Sequence, residues 1–441
     1  MAYTSLTCRQ HPTQIYMDVP PPLARQRPPF LPAQIDEALP ISTQLEIYRE
    51  FAKHSDPRTQ LDYAKYLIYV AEDPDYADPN PKVARKTQDS LYQEALKWIK
   101  KLANSGKSSY PEAQFFLAEC FGNGSLSLPV DHERAFNLYV AASKQSHPSA
   151  TYRTAVCHEV GAGTKRDPVR SVQFYRKAAT LGDTAAMYKL GMILLNGLLG
   201  EKKSPREGIT WLKRAAAQAD ETTPHALHEM AALYEGRTEE ASGNIMHDPG
   251  YAHDLYLKAA QLGYAASQYK LGICYEYGML GVPVDPRRSI AWYTRAAEQG
   301  DPEAELALSG WYLTGADSVL AQSDQEAYLW ARKAADKGLA KAEYAVGYYT
   351  ENGVGVVPDF EEARRWYLRA AGQGNKRAIQ RLKEFKAYAA GIPPIHLNQY
   401  GQQQTYAESG NLRQQYREER RSGSGSGSGG GGGGGGECTM M

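Results

Sequence analysis

The side chains in this chain best suited to covalent or metal chemistry are its five cysteines. One stands apart from the rest. Cys438 is the fourth residue from the end, in "CTMM", after a run of glycine and serine. A cysteine so placed fits the C-a-a-X pattern for prenylation, and Met441 occupies the position that usually selects farnesyl over geranylgeranyl. Thr439 departs from the aliphatic preference at the next position. The Gly/Ser run reads as a random-coil linker of about 16 residues spanning roughly 20 to 24 Å. Such a leash lets a transferase reach the thiol and then lets the lipid reach a bilayer. Cys438 is therefore the expected lipidation site and protein farnesyltransferase the expected modifying partner.

Other candidates for chemistry read as structure. Cys120, Cys157 and Cys274 recur at one repeat position, which Ile193 and Tyr349 fill in other copies, as a buried apolar residue would. "CHEVG" places Cys157 beside His158, but helix neighbours point about 100° apart and do not face one another. "HALHEM" puts His225 and His228 at i, i+3 with Glu229 adjacent, without the H-E-x-x-H order of a zinc hydrolase or a third ligand. The glycine-rich tail lacks the strand and the Lys-Ser/Thr helix start that a phosphate loop requires. No catalytic, metal or cofactor site is expected, and the chain reads as a non-enzyme.

What must position any functional residue is a repeat. "NLYVAASKQSH", "FYRKAATLGD", "WLKRAAAQAD", "LYLKAAQLGY", "WYTRAAEQGD", "WARKAADKGL" and "WYLRAAGQGN" align on Ala142, Ala178, Ala215, Ala259, Ala296, Ala334 and Ala370, at intervals of 36 to 44 residues. The longest interval carries the insertion "EGRTEEASGNIMHD", and a weaker copy, "LKWIKKLANSG", lies one period upstream. Each unit predicts two helices. Gly278 and Gly353 supply left-handed helix ends, and Asp167, Ser204, Asp248 and Asp285 place an N-cap acceptor before a proline. Four residues before each alanine stand Leu138, Phe174, Trp211, Leu255, Trp292, Trp330 and Trp366, so a bulky and a small residue share one helix face. Gly191, Gly272 and Gly347 on the partner helices let backbones approach. A lone hairpin cannot bury that face but a stack can, so an all-α solenoid of stacked helical hairpins with a concave binding surface is expected. Tyrosines left exposed on that surface would suit a protein partner.

This pattern, over residues 60 to 385, resembles the Sel-one-like repeats, relatives of the tetratricopeptide repeats. The expected organisation is a Pro-rich disordered arm over 1–40, a helical cap and degenerate first repeat over 41–105, the solenoid over 106–385, a disordered tail over 386–437 and the prenylation box over 438–441. Fifty basic against fifty acidic residues give no net charge, so the basic field that nucleic-acid binding needs is missing. The N-terminus has no apolar core of signal-peptide length, and no apolar stretch reaches the roughly 20 residues of a spanning helix. Few cysteines and no secretory signal fit a reducing compartment.

The lead-in "YREFAKHSDPRTQLDYAKYLIYVAED", the segments "AQFFLAECFGNG", "YRTAVCHEVGAGTKRDPVRSVQFYRKAA", "AMYKLGMILLNGLLG" and "PHALHEMAALYE", and the terminal "CTMM" are similar to the fungal chitin synthase activators. That resemblance implies a non-catalytic adaptor of a membrane chitin synthase in cell-wall chitin synthesis and septation. It would act at the cytoplasmic face of the plasma membrane, at growth and septum sites, with a cytosolic fraction. Because one lipid chain gives only marginal attachment, the synthase itself would supply the second anchor. A general prenylated scaffold for a signalling or septation complex is the alternative.

Overall fold

The structure is a computed structural model that describes residues 30–74, 79–104, 106, 109–236 and 246–389, with side chains to residue 386. Eighteen α-helices and no β-strand make up its regular structure among these residues. The chain divides into two compact units, Met1–Phe174 and Tyr175–Met441.

In the first unit, α1 (Ile41–Lys53), α2 (Pro57–Glu72) and α3 (Pro81–Ala103) precede the regular hairpins, followed by α4 (Pro111–Asn123), α5 (His132–Lys144), α6 (Pro148–Val160) and the first half of α7 (Pro168–Thr180). One continuous core runs through it, from Leu31 to Cys157. Leu31 and Ile35 are only 6% and 3% exposed, and the Phe30 carbonyl accepts a hydrogen bond from the Tyr48 hydroxyl at 2.9 Å. Residues 30–39, assigned by sequence to an arm without packing, are thus part of this core. Proline content masked them, because turns rather than helices carry their two apolar anchors.

The second unit holds the rest of α7, then α8 (Thr184–Asn196), α9 (Pro205–Ala217), α10 (His225–Tyr234), α11 (Pro249–Gln261), α12 (Ala265–Tyr277), α13 (Pro286–Glu298), α14 (Pro302–Thr314), α15 (Asp324–Asp336), α16 (Ala340–Asn352), α17 (Phe360–Gly372) and α18 (Lys376–Ala389). From α8 to α18 each helix packs on the next, as stacked hairpins require.

The local signals act as their chemistry predicts. Asp167, Asp248 and Asp285 accept from the backbone N–H three residues on, at 3.0 Å in each case. Ser204 precedes Pro205 but its side chain makes no such bond, so α9 starts on proline geometry alone. Gly278 and Gly353 close α12 and α16 with φ of 70°. Gly191 lets backbones approach, since a Cβ there would lie 3.1 Å from the Gly208 carbonyl oxygen of α9 as well as 2.7 Å from Leu212, whereas Gly272 and Gly347 make room for a side chain. A Cβ on Gly272 would meet the Tyr293 ring at 2.5 Å, and one on Gly347 the Tyr367 ring at 2.8 Å.

Candidate functional site

The aligned alanines Ala178, Ala215, Ala259, Ala296, Ala334 and Ala370 are wholly buried. Of the tryptophans one turn before them, Trp292 and Trp366 are buried, while Trp211 and Trp330 are half-buried. Each carries a cation from the next turn over its ring. Arg214 lies 4.8 Å from the Trp211 centroid, Arg295 4.8 Å from Trp292, Lys333 4.0 Å from Trp330 and Arg369 4.6 Å from Trp366. The i, i+3 spacing brings cation and ring face together, where the ring quadrupole attracts the charge.

The residues that could have done chemistry are held as packing. Cys120, Cys157 and Cys274 are buried, as are Ile193 and Tyr349 at the same repeat position. Burial pushes the three thiols up to about 11, 11 and 12, so they stay protonated and weakly nucleophilic. Beside Cys157, His158 sits between the Phe136 and Phe174 rings, at centroid distances of 5.3 and 5.5 Å, and burial lowers its basicity. A raised thiol and a lowered imidazole are the reverse of an activated Cys-His pair. His225 packs against Tyr188 and Tyr264, and His228 Nδ1 meets the Ser267 hydroxyl at 2.8 Å. Among the described residues, no group of three or more His, Cys, Asp or Glu side chains is placed to hold a metal ion.

A second recurring device went unread in the sequence. Glu119 of α4 accepts from the Tyr139 hydroxyl of α5 at 2.5 Å and pairs with Arg153 of α6 at 3.0 Å. Glu235, at the end of α10, accepts from Tyr256 of α11 at 2.9 Å and pairs with Lys270 of α12 at 2.6 Å. Glu351 of α16 accepts from Tyr367 of α17 at 2.8 Å and pairs with Arg381 of α18. In all three, a carboxylate on one hairpin's first helix is shared by its own second helix and by the next hairpin. Burial, reinforced by Glu351, holds the Tyr367 phenol protonated far above its ordinary range. The spacings are too long for a helix pattern to reveal, although the acids in "LYEG" and "YTENG" share one place at the end of the first helix, and that in "AECFG" lies a turn earlier.

One place breaks the repeat's regularity. Helix α10 spans ten residues where α4–α9 and α11–α17 each span thirteen. A groove of about 710 Å³ opens between α9, α10 and α11, floored by Leu227, Met230 and Leu255. Lys213 and Lys258 stand exposed at its rim. At one end Tyr251, 43% exposed, meets Tyr234 edge-to-face at 4.7 Å.

Comparison with known proteins follows the same repeat boundaries. The Sel1 repeat profile matches residues 87–107, 111–147, 148–183, 184–220, 224–264, 265–301, 302–339 and 340–375. The chain belongs to the Sel1 repeat family. The first match is the weaker upstream copy, and the other seven are the hairpins aligned on Ala142 to Ala370. A solved Sel1 repeat protein from Oxalobacter formigenes shares this fold with a TM-score of 0.52 and 24% identity, over 78% of this chain and 91% of its own. Chitin synthase regulatory factor 3 of Schizosaccharomyces pombe is 44% identical over 339 residues, covering 74% of this Sel1 repeat chain and 35% of the relative. Chitin synthase regulator SKT5 of Malassezia restricta is 41% identical over 357 residues, 78% of this chain and 24% of the relative. The chain thus spans a quarter to a third of the length of these two relatives. Cys438 and the segment around it lie outside the described residues. No described helix is long and apolar enough to cross a membrane.

Proposed function

We propose that this chain is a non-catalytic regulator of a membrane chitin synthase, binding the catalytic subunit through its repeats. The observation that carries the reading is the 44% identity to chitin synthase regulatory factor 3 over 339 residues. That stretch is longer than the span from residue 87 to 375 that the Sel1 matches occupy, so the likeness exceeds generic repeat character. The buried, protonated thiols and the packed histidines support a binding role over a chemical one.

On a chain that ends at Met441, Cys438 accepts a farnesyl group from protein farnesyltransferase, and the lipid confines the search for the synthase to the membrane surface. Lipid and synthase then act as two weak anchors in series, which places the chain at the cytoplasmic face of the plasma membrane where the synthase works, at growth and septum sites. The test is chitin synthase activity in membranes from a fungal host lacking its own regulator and carrying no copy, the intact chain, or Cys438→Ser at equal levels. The intact chain raises activity, and Cys438→Ser lowers both membrane recovery and activity. Activity independent of the chain overturns the regulatory reading. Full membrane recovery and activity of Cys438→Ser overturns the lipid anchor alone.

A further inference from the structure

The repeats act as references for one another. Leu138 is followed three residues on by Ala141 and the Phe174 ring by Lys177, so of the seven aligned repeats one keeps the cation beside a residue without a ring. Trp211, Trp292, Trp330 and Trp366 fill the position one turn before the aligned alanine, each beneath the cation three residues on. In the α10–α11 repeat that position is Leu255, and Lys258 takes the place of the cation with no ring of its own hairpin beneath it. Leu255 is buried in the floor of the groove between α9, α10 and α11, and Lys258 stands on the rim with Lys213. Neither lysine makes an ion pair with a described residue. The surface therefore combines an apolar floor, a missing indole and two cations held above it.

We propose that this groove docks an amphipathic segment of a protein partner that presents an aromatic residue, with an acidic residue about one helical turn away. The aromatic side chain lies over Leu227, Met230 and Leu255 and supplies the ring that Lys258 lacks. The acid meets Lys213 and Lys258, which fixes the direction of the segment by charge complementarity. Aromatic anchors in apolar pockets are the contacts that dominate protein interfaces, while rim charges orient them. The partner is the chitin synthase catalytic subunit, a step that rests on the regulatory reading above.

The test titrates labelled chitin synthase catalytic subunit, purified in detergent micelles, with the full chain and two variants. Leu255→Trp places in the groove the residue that four sibling repeats carry, and thermal unfolding checks that it folds as the parent does. Lys213→Glu with Lys258→Glu alters only exposed side chains and leaves the packing intact. Leu255→Trp weakens binding by about thirtyfold or more, as blocking a hot-spot pocket does. The double charge reversal weakens it by about tenfold, and more at low salt than at high. Binding by the parent with no loss in either variant overturns the groove and leaves the regulatory reading standing. No binding by the parent overturns both. If Leu255→Trp instead changes the sedimentation of the chain alone, from a larger species to a monomer, the groove is a contact between copies of this chain and the partner proposal fails.

Discussion

The α10–α11 and α12–α13 hairpins are built on one plan and differ at two buried positions. In α12–α13, Gly272 leaves space for the Tyr293 ring and Trp292 fills the outer face beneath Arg295. In α10–α11 the equivalent residues are Ala231, Tyr256 and Leu255, all buried, so a methyl group is accommodated where the neighbour has none and a leucine stands where the neighbour has an indole. The α12–α13 hairpin presents a completed surface and the α10–α11 hairpin a groove. What is constant between them identifies the parts that hold the stack. What differs marks the place where the surface is open.

Three experiments break or sharpen this comparison. The largest effect is expected for Glu235→Ala. Glu235 and Lys270 have side chains only 10% and 12% exposed, so losing the acid leaves a nearly buried ammonium without its partner. Breaking such a pair costs about 3 to 5 kcal/mol. Chemical denaturation followed by circular dichroism should show that loss, while Glu235→Ala combined with Lys270→Met, which removes both charges, should cost less. Next comes Gly272→Ala. Its Cβ would lie 2.5 Å from the Tyr293 ring, and forcing the ring aside costs about 1 to 3 kcal/mol. The reciprocal change, Ala231→Gly, should cost about 1 kcal/mol, mainly through helix propensity. Equal costs for the two would mean that the hairpins are not different in the way described. The smallest effect concerns chemistry more than stability. Cys274, its thiol pushed up to about 12 by burial, should resist a thiol-specific reagent at pH 8 in the folded chain and react at once on unfolding. Rapid labelling of Cys274 in the native state would show that the α12–α13 hairpin opens locally, and that its surface is less complete than its neighbour's is open.

Much of this was legible in the chain itself. The Ala-Ala pairs, the bulky residue one turn earlier and the Asp-Pro starts define the hairpins because helix geometry places residues three and four apart on one face. The cysteines were legible for the same reason, since Ile193 and Tyr349 at the same position report a buried environment. The carboxylate clamps were not. A glutamate near the end of a helix reads as solvated, and only the stacked structure brings Glu235 to Tyr256 and Lys270, 21 and 35 residues away. Residues 30–39 were hidden by their prolines. The groove was written in the aligned row of Leu138, Phe174, Trp211, Leu255, Trp292, Trp330 and Trp366, but a leucine in that row signals a vacancy only when the space beside it can be seen.

The shared carboxylates also bear on how such a chain can grow. Each clamp splits across a repeat boundary, with the acid and tyrosine on one side and the cation on the other. A duplication that copies a whole period between two clamped junctions reproduces both halves and leaves every charge matched. A fragment of a period strands one of them inside the stack. Extra sequence between the two helices of a hairpin leaves the cation junction untouched and lengthens only the loop inside the acid–tyrosine half of a clamp. The insertion that makes the longest interval here falls there, after Glu235 and before α11, with the Glu235–Tyr256 hydrogen bond intact. The electrostatics of the junctions thus set a unit of inheritance, and the longest insertion between a unit's helices leaves both halves of its clamp in place.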